Sequence, residues 1–168
     1  MLLAQLKLEL DHLDMRIDEA DAMIKKTAHE NEACQRLVAI PGIGPVTATA
    51  LIAAIGNGGA FHKGREFAAW MGVVPREHST GGKQKLLGIR KRGNSYLRRL
   101  FVQGARAVMQ QRTKQSPGLS AWLTQLNSRT HRNVAAVALA NKLARMAWAV
   151  LAKNEQYRPP VLANVAAA

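Results

Sequence analysis

The chain has 168 residues, 48% of them apolar, a single cysteine and a formal net charge of +13. That length fits one domain plus an extension, and one cysteine, Cys34, excludes an intrachain disulfide and suits a reducing compartment. The charge is uneven: residues 1–32 hold eight acids against four bases, a net of −4, and the rest holds 20 bases against only Glu66, Glu77 and Glu155, a net of +17. A body this basic calls for a polyanionic partner. An anionic membrane is a poorer candidate than nucleic acid, because no signal peptide or lipidation motif supports it.

Residues 2–32 read as one helix free of Gly and Pro. Leu3, Leu6, Leu10, Leu13, Ile17, Ala20 and Ile24 follow a 3-4 spacing, the seam of a coiled coil. Self-association through residues 2–32 is expected; packing of this helix on its own domain is the alternative.

Residues 37–56, LVAIPGIGPVTATALIAAIG, read as two short helices joined by a PGIG turn, a helix-hairpin-helix. Gly42 and Gly44 let backbone approach a ligand closely. With Ile43 they precede a helix whose N-terminus attracts anions, and Pro45 suits its first position. Nucleic-acid phosphate is the natural anion; a tight turn between two core helices is the alternative.

Gly56-Asn57-Gly58-Gly59 then turns the chain. Arg65 to Met71 reads as a short helix with Phe67 and Trp70 on its apolar side, ended by Val73-Val74-Pro75. Residues 76–93 are polar, basic and Gly-rich, a loop or hairpin. Asn94 reads as an N-cap for a helix to about Gln111, with Leu97, Phe101, Ala105 and Val108 inward. Pro117-Gly118 reads as a break, Leu119 to Leu126 as a short helix and Asn133 to Lys153 as the last long one. That last helix is long and apolar enough to raise a membrane span, but Asn141, Lys142 and Arg145 in its middle make spanning costly. Residues 154–168 read as a tail. The fold class is mostly α, with little convincing strand: a coiled-coil helix over 1–32, then a helical domain over 33–153 containing the helix-hairpin-helix and the basic loop.

The stretch 76–99 concentrates eight bases (Arg76, Lys83, Lys85, Arg90, Lys91, Arg92, Arg98 and Arg99) against one acid, Glu77. Cations on a flexible glycine-rich backbone are what phosphate clamping needs. Tyr96 offers a ring for base stacking or simply a half-buried helix residue. Thr80-Gly81-Gly82-Lys83 lacks P-loop spacing, and Gln84 stands where a magnesium-binding hydroxyl belongs. Ser79, flanked by His78 and a Gly-Gly-Lys run, has the surroundings of a nucleophile toward a phosphodiester; a hydroxyl bonding its own turn is the plain alternative. The basic body has no Asp and only three scattered Glu, which argues against a self-contained two-metal site. One Cys and five scattered His do no better for zinc. No metal or cofactor site is expected within this chain.

IPGIGPVTATALIAAIG, FHKGREFAAWMGVVPREHSTGGKQKLLGIRKRGNSYLRRLFVQGARAV and VAAVALANKLARMAWAVL, in this order, resemble the C-terminal half of an insertion-sequence transposase of the one-ten/one-sixteen/nine-hundred-two family, in its eleven-eleven branch. The resemblance covers roughly residues 30–152. It implies a two-part recombinase, with an N-terminal RNase-H-like domain holding magnesium on four carboxylates, a coiled coil, and a C-terminal domain with a serine nucleophile. That serine falls in the segment Ser79-Thr80-Gly81-Gly82-Lys83, so Ser79 is the implied nucleophile and Thr80 a second candidate. The family's GIxKRGN stretch falls on Gly88, Ile89, Lys91, Arg92, Gly93 and Asn94. The resemblance further implies oligomers acting on double-stranded DNA, a guide (bridge) RNA in some members, and a cytoplasmic, nucleoid-associated location. This chain departs from the pattern in lacking the acidic domain, in Asn57 where relatives often carry Asp, and in Arg90 where they carry Ser. The expectation is a truncated transposase that binds DNA and self-associates but is inactive alone, with magnesium entering only through the missing domain. A stand-alone DNA-bridging protein and an inhibitor of full-length transposase are the alternatives.

Overall fold

The first helix, α1 (Leu2–Glu30), runs 29 residues, about 43 Å at 1.5 Å per residue. In this computed structural model, which describes residues 2–111 and 116–160 (only the backbone of Leu86), residues 2–20 of α1 are all exposed. Leu3 is 83% and Leu10 60% exposed, so the seam from Leu3 to Ala20 is left open among the described residues. Only the C-terminal part, with Ala28 buried, touches the body, chiefly at α3. The helix stops at Glu30 rather than running through residue 32. Asn31 is extended there (φ −108, ψ 114), and its side chain accepts from the Cys34 N–H as the N-cap of α2 (Glu32–Val38). Asn prefers capping a new helix to continuing an old one. Cys34 itself is buried, and that burial pushes its thiol up from the ordinary value, as expected of a structural rather than a reactive cysteine.

Between α2 and α3 (Pro45–Ile55) the Ile43 N–H donates to the Ile40 carbonyl. Pro41 and Gly42, with φ +85 at Gly42, fill the central positions as a type II turn requires. A Cβ on Gly42 would lie 2.8 Å from the Gly104 carbonyl oxygen, and one on Gly104 would lie 2.0 Å from the Gly42 oxygen. The two glycines therefore mark a backbone-to-backbone seam between the turn and α5 (Ser95–Gln110).

The next helix, α4 (Gly64–Met71), ends at Gly72 in the left-handed region (φ +79). The Val73 N–H bonds the Ala68 carbonyl and the Gly72 N–H that of Ala69, a Schellman motif. This glycine, rather than Val73-Val74-Pro75, ends the helix. Residues 76–93, left open between loop and hairpin in the sequence, form a hairpin: β1 (Pro75–Glu77) pairs antiparallel with β2 (Leu86–Ile89), with an irregularity between Pro75 and Glu77. The pairing continues through the His78 N–H to the Lys85 carbonyl and a bridge between Thr80 and Lys83. Gly81 (φ +59) and Gly82 (φ +74) carry the two positive φ angles of a type I′ turn.

Asn94 caps α5 through the Leu97 N–H, and Leu97, Phe101, Ala105 and Val108 are the buried set. Pro117-Gly118 does not break the chain before a helix but opens α6 (Pro117–Asn127); Pro at the first position loses no hydrogen bond. The last helix, α7 (Arg132–Ala152), is capped by His131. It packs on α2, α4, α5 and α6, and its pairing with α5 is the heart of the fold. Leu37, Ile40, Leu51, Phe67, Met71, Leu97, Phe101, Leu119, Leu139 and Leu143 fill the core. α7 is long and apolar enough to cross a bilayer, but half of its apolar window is buried in the domain; it is a core helix. The Ala-rich end of the expected tail, 161–168, lies outside the described residues.

Candidate nucleic-acid interface

The hairpin is fixed at its base and open everywhere else. Gly93 (φ +108) passes so close to the end of α4 that a Cβ there would lie 1.8 Å from the Trp70 carbonyl oxygen, and a Cβ on Gly72 would lie 2.2 Å from the Arg92 oxygen. The Arg98 guanidinium donates to the Met71 carbonyl at 3.1 Å, a cation at the negative end of α4. Beyond that seam the side chains of residues 75–93 are exposed, Ile89 excepted and Leu86 not described.

Of the eight bases singled out in the sequence, Arg76, Lys83, Lys85, Arg90, Lys91, Arg92 and Arg99 are exposed. Arg98 is half-buried and already engaged at α4. Among the described residues the ion pairs are Lys26–Glu30 and Arg36–Glu32, so none of the eight is neutralised by a carboxylate. Their charge is left for solvent or a ligand. Tyr96 is 50% exposed on the first turn of α5.

Ser79 stands on the same ribbon, and its Oγ donates to Glu77 Oε1 at 2.6 Å. Residues i and i+2 of an extended strand share a face, which brings these two together and turns His78 the other way. His78 uses its backbone N–H on the Lys85 carbonyl. Thr80, the second candidate, lies one residue on and accepts the Lys83 N–H at its carbonyl to close the turn. The sequence pointed to His78 as the neighbour that matters; Glu77 was counted only as the loop's lone acid. Its partnership with Ser79 was readable once 77–79 was taken as extended.

At the PGIG turn, Ile43 is buried and Gly42 faces α5. Only Gly44 is exposed, with open space where its Cβ would be. The adjoining cleft, about 450 Å³, is lined by Val38, Pro41, Ala107, Val108, Gln111 and the turn itself, without a cation. The turn is thus an apolar seam on one side and bare backbone on the other. Among the described residues no three His, Cys, Asp or Glu side chains gather as a metal ion needs, so the residues present do not fit the magnesium that the resemblance implies.

Comparison with known proteins agrees with the sequence motifs. Residues 34–121 match the family described as "Transposase IS116/IS110/IS902 family". The chain is 48% identical over 158 residues to a "Probable family 20 transposase" of Pseudomonas aeruginosa, covering 94% of this chain and 47% of that protein. It is 44% identical over 150 residues to the transposase for insertion sequence element IS1111A of Coxiella burnetii (89% and 41% covered). It is 46% identical over 149 residues to the transposase for IS1328 of Yersinia enterocolitica (89% and 45%). The chain spans less than half the length of each of these relatives.

Proposed function

Because the chain belongs to the IS116/IS110/IS902 transposase family, we propose that it is a DNA-binding part of an insertion-sequence transposase, in which the basic hairpin grips duplex DNA and offers Ser79 to a phosphodiester. The observation that carries this reading is the short Ser79–Glu77 hydrogen bond on a ribbon of unpaired cations. In the reaction the Ser79 oxygen attacks phosphorus and its proton passes to the Glu77 carboxylate. A serine–phosphate ester forms as the bond to the leaving sugar oxygen breaks, and that oxygen leaves as a hydroxyl with a proton from solvent. The hairpin cations stabilise the charge that grows on the phosphoryl oxygens. Attack by a second sugar hydroxyl then frees Ser79 and joins the new strand. Magnesium would come from carboxylates beyond the described residues, and no step above runs through it.

The binding half of this reading is tested with the chain as it stands. Lys83→Gln with Lys85→Gln is expected to flatten the salt dependence of duplex affinity by about 1.8 in d log K/d log [salt], at about 0.9 per lost phosphate contact. An unchanged slope removes the hairpin from the interface. Some family members use a guide RNA, and the same cations suit either backbone; competition of RNA against duplex DNA ranks the two. On this reading the protein works in the cytoplasm, at the nucleoid.

The exposed seam of α1 favours an oligomer. Leu3, Leu6, Leu10, Leu13 and Ile17 face solvent within one chain, and pairing them with a second copy removes them from water. Leu6→Glu with Leu13→Glu is expected to give a monomer by sedimentation at unchanged domain stability, since neither side chain touches the body. A dimer that survives both charges places the contact elsewhere. The same seam supports a second reading, a protein that bridges two duplexes without chemistry.

A further inference from the structure

A second basic surface lies at the other end of α4 from the hairpin, about 12 Å away along an eight-residue helix. It is a groove of about 660 Å³ between the start of α4 and the outer face of α7. Five cations line it, Lys63, Arg65, Lys142, Arg145 and Lys153, and among the described residues no acid does. Positions 138, 142, 145 and 149 of α7 recur every three or four residues and so form one stripe, which Lys153 continues at the helix's C-cap. The residues that kept α7 from reading as a membrane span are therefore the wall of this groove.

The groove is built rather than incidental. Gly64 lets α4 come down on α7, where a Cβ would lie 3.2 Å from the Arg145 backbone and 3.1 Å from the Trp148 ring. The Trp148 indole N–H donates to the Gly58 carbonyl at 3.1 Å, which ties the glycine-rich turn against the same edge. Lys142 Nζ stands 4.5 Å over the Trp122 ring. Lys63 at the N-cap of α4 makes no side-chain cap bond, and Glu66 in the first turn accepts the His62 N–H at 2.8 Å. None of the five cations is in an ion pair among the described residues. Gathering like charges without a counter-charge costs stability unless an anion is bound.

We propose that this groove is a second nucleic-acid site, one that holds the sugar–phosphate backbone along one strand of a DNA duplex without reading its bases. The inference rests on the reading of the chain as a DNA-binding protein, and it adds a contact that the hairpin does not supply. An acidic polypeptide is the rival occupant. Five cations beside the Trp122 and Trp148 rings favour a phosphate backbone.

The full chain is titrated with fluorescein-labelled duplex DNA over a range of salt. Changing Lys63, Arg65, Lys142 and Arg145 together to Gln is expected to lower the salt slope by about 3.5 and affinity at least about tenfold near 0.1 M salt. The charge-matched control, with Lys7, Arg16, Lys25 and Lys26 of α1 changed to Gln, is expected to shift neither. Equal shifts in the two variants, or none in the groove variant, overturn the proposal. The second measurement needs no variant: amine labelling of the wild type, where DNA is expected to protect Lys63, Lys142 and Lys153. Full labelling of those lysines in bound protein overturns the site even if the groove variant does not fold, and so does protection by polyglutamate but not by DNA. Loss of affinity in Lys83→Gln/Lys85→Gln alone defeats the groove and spares the proposed function. Wild-type protein that binds no nucleic acid defeats both.

Discussion

Ser79→Ala is expected to abolish strand cleavage while duplex affinity stays within about a factor of two. The assay joins this chain to the remaining part of a full-length relative, supplied in trans, and follows a labelled element end. Removing a nucleophile is expected to cost at least about 10³-fold, because no other hydroxyl on that face of the ribbon takes its place. Glu77→Gln keeps the shape and loses the proton acceptor, so a fall of about 10²- to 10⁴-fold is expected. If Ser79→Ala retains cleavage and Thr80→Ala loses it, the reacting oxygen sits on the opposite face. If Ser79→Ala instead loses DNA binding, the hydroxyl is a contact and the chemistry belongs elsewhere.

The largest effect on stability is expected at the glycine seam. Gly104→Ala should melt about 5–10 °C lower, the equivalent of about 2–3 kcal/mol in a domain of this size. In an open helix the same change would stabilise by about 1 kcal/mol, so the sign reports the contact. Here the new methyl would meet the Gly42 carbonyl at 2.0 Å, and backbone cannot step aside as a flexible side chain can. Gly44→Ala in the same turn is the control. It has open space and φ −94, and its melting temperature should hardly move. Circular dichroism of the three proteins decides the matter. A drop in DNA affinity at Gly44→Ala without a change in melting would assign the turn to phosphate; a drop in melting at Gly104→Ala alone assigns its tight glycine to packing.

What could be read in the sequence was what short range decides. Asn94 as a cap, the buried set Leu97, Phe101, Ala105 and Val108, and the Gly/Pro-free run of α1 each follow from a few adjacent residues. The finer boundaries slipped where a residue suits two roles. Asn31 ends one helix by capping the next, and Pro117 starts a helix in a position where prolines usually read as stops. The close approach of Gly42 to Gly104 was out of reach, because both look like ordinary turn and helix glycines until α5 is laid across the turn. The Ser79–Glu77 pair was hidden because 76–93 was left open between loop and hairpin, and an extended 77–79 is what puts the two on one face. The groove hid for a different reason. Lys63 and Arg65 are some eighty residues from Lys142 and Arg145 in the sequence, and only the docking of α4 on α7 makes them one surface.

The exposed hairpin has a consequence for how such a protein changes over generations. Residues 75–93 contribute little buried side chain to the body, so most substitutions between Arg76 and Lys91 leave the fold as stable as before. Positions of the hairpin outside Glu77, Ser79 and the cations can therefore vary at little cost to the fold, and on the proposed reading such variation could retune the duplex preferred. Gly72 and Gly93, locked against backbone at the hairpin's base, have no such latitude. The fold thus tolerates change along the ribbon and not at the two glycines that seat it.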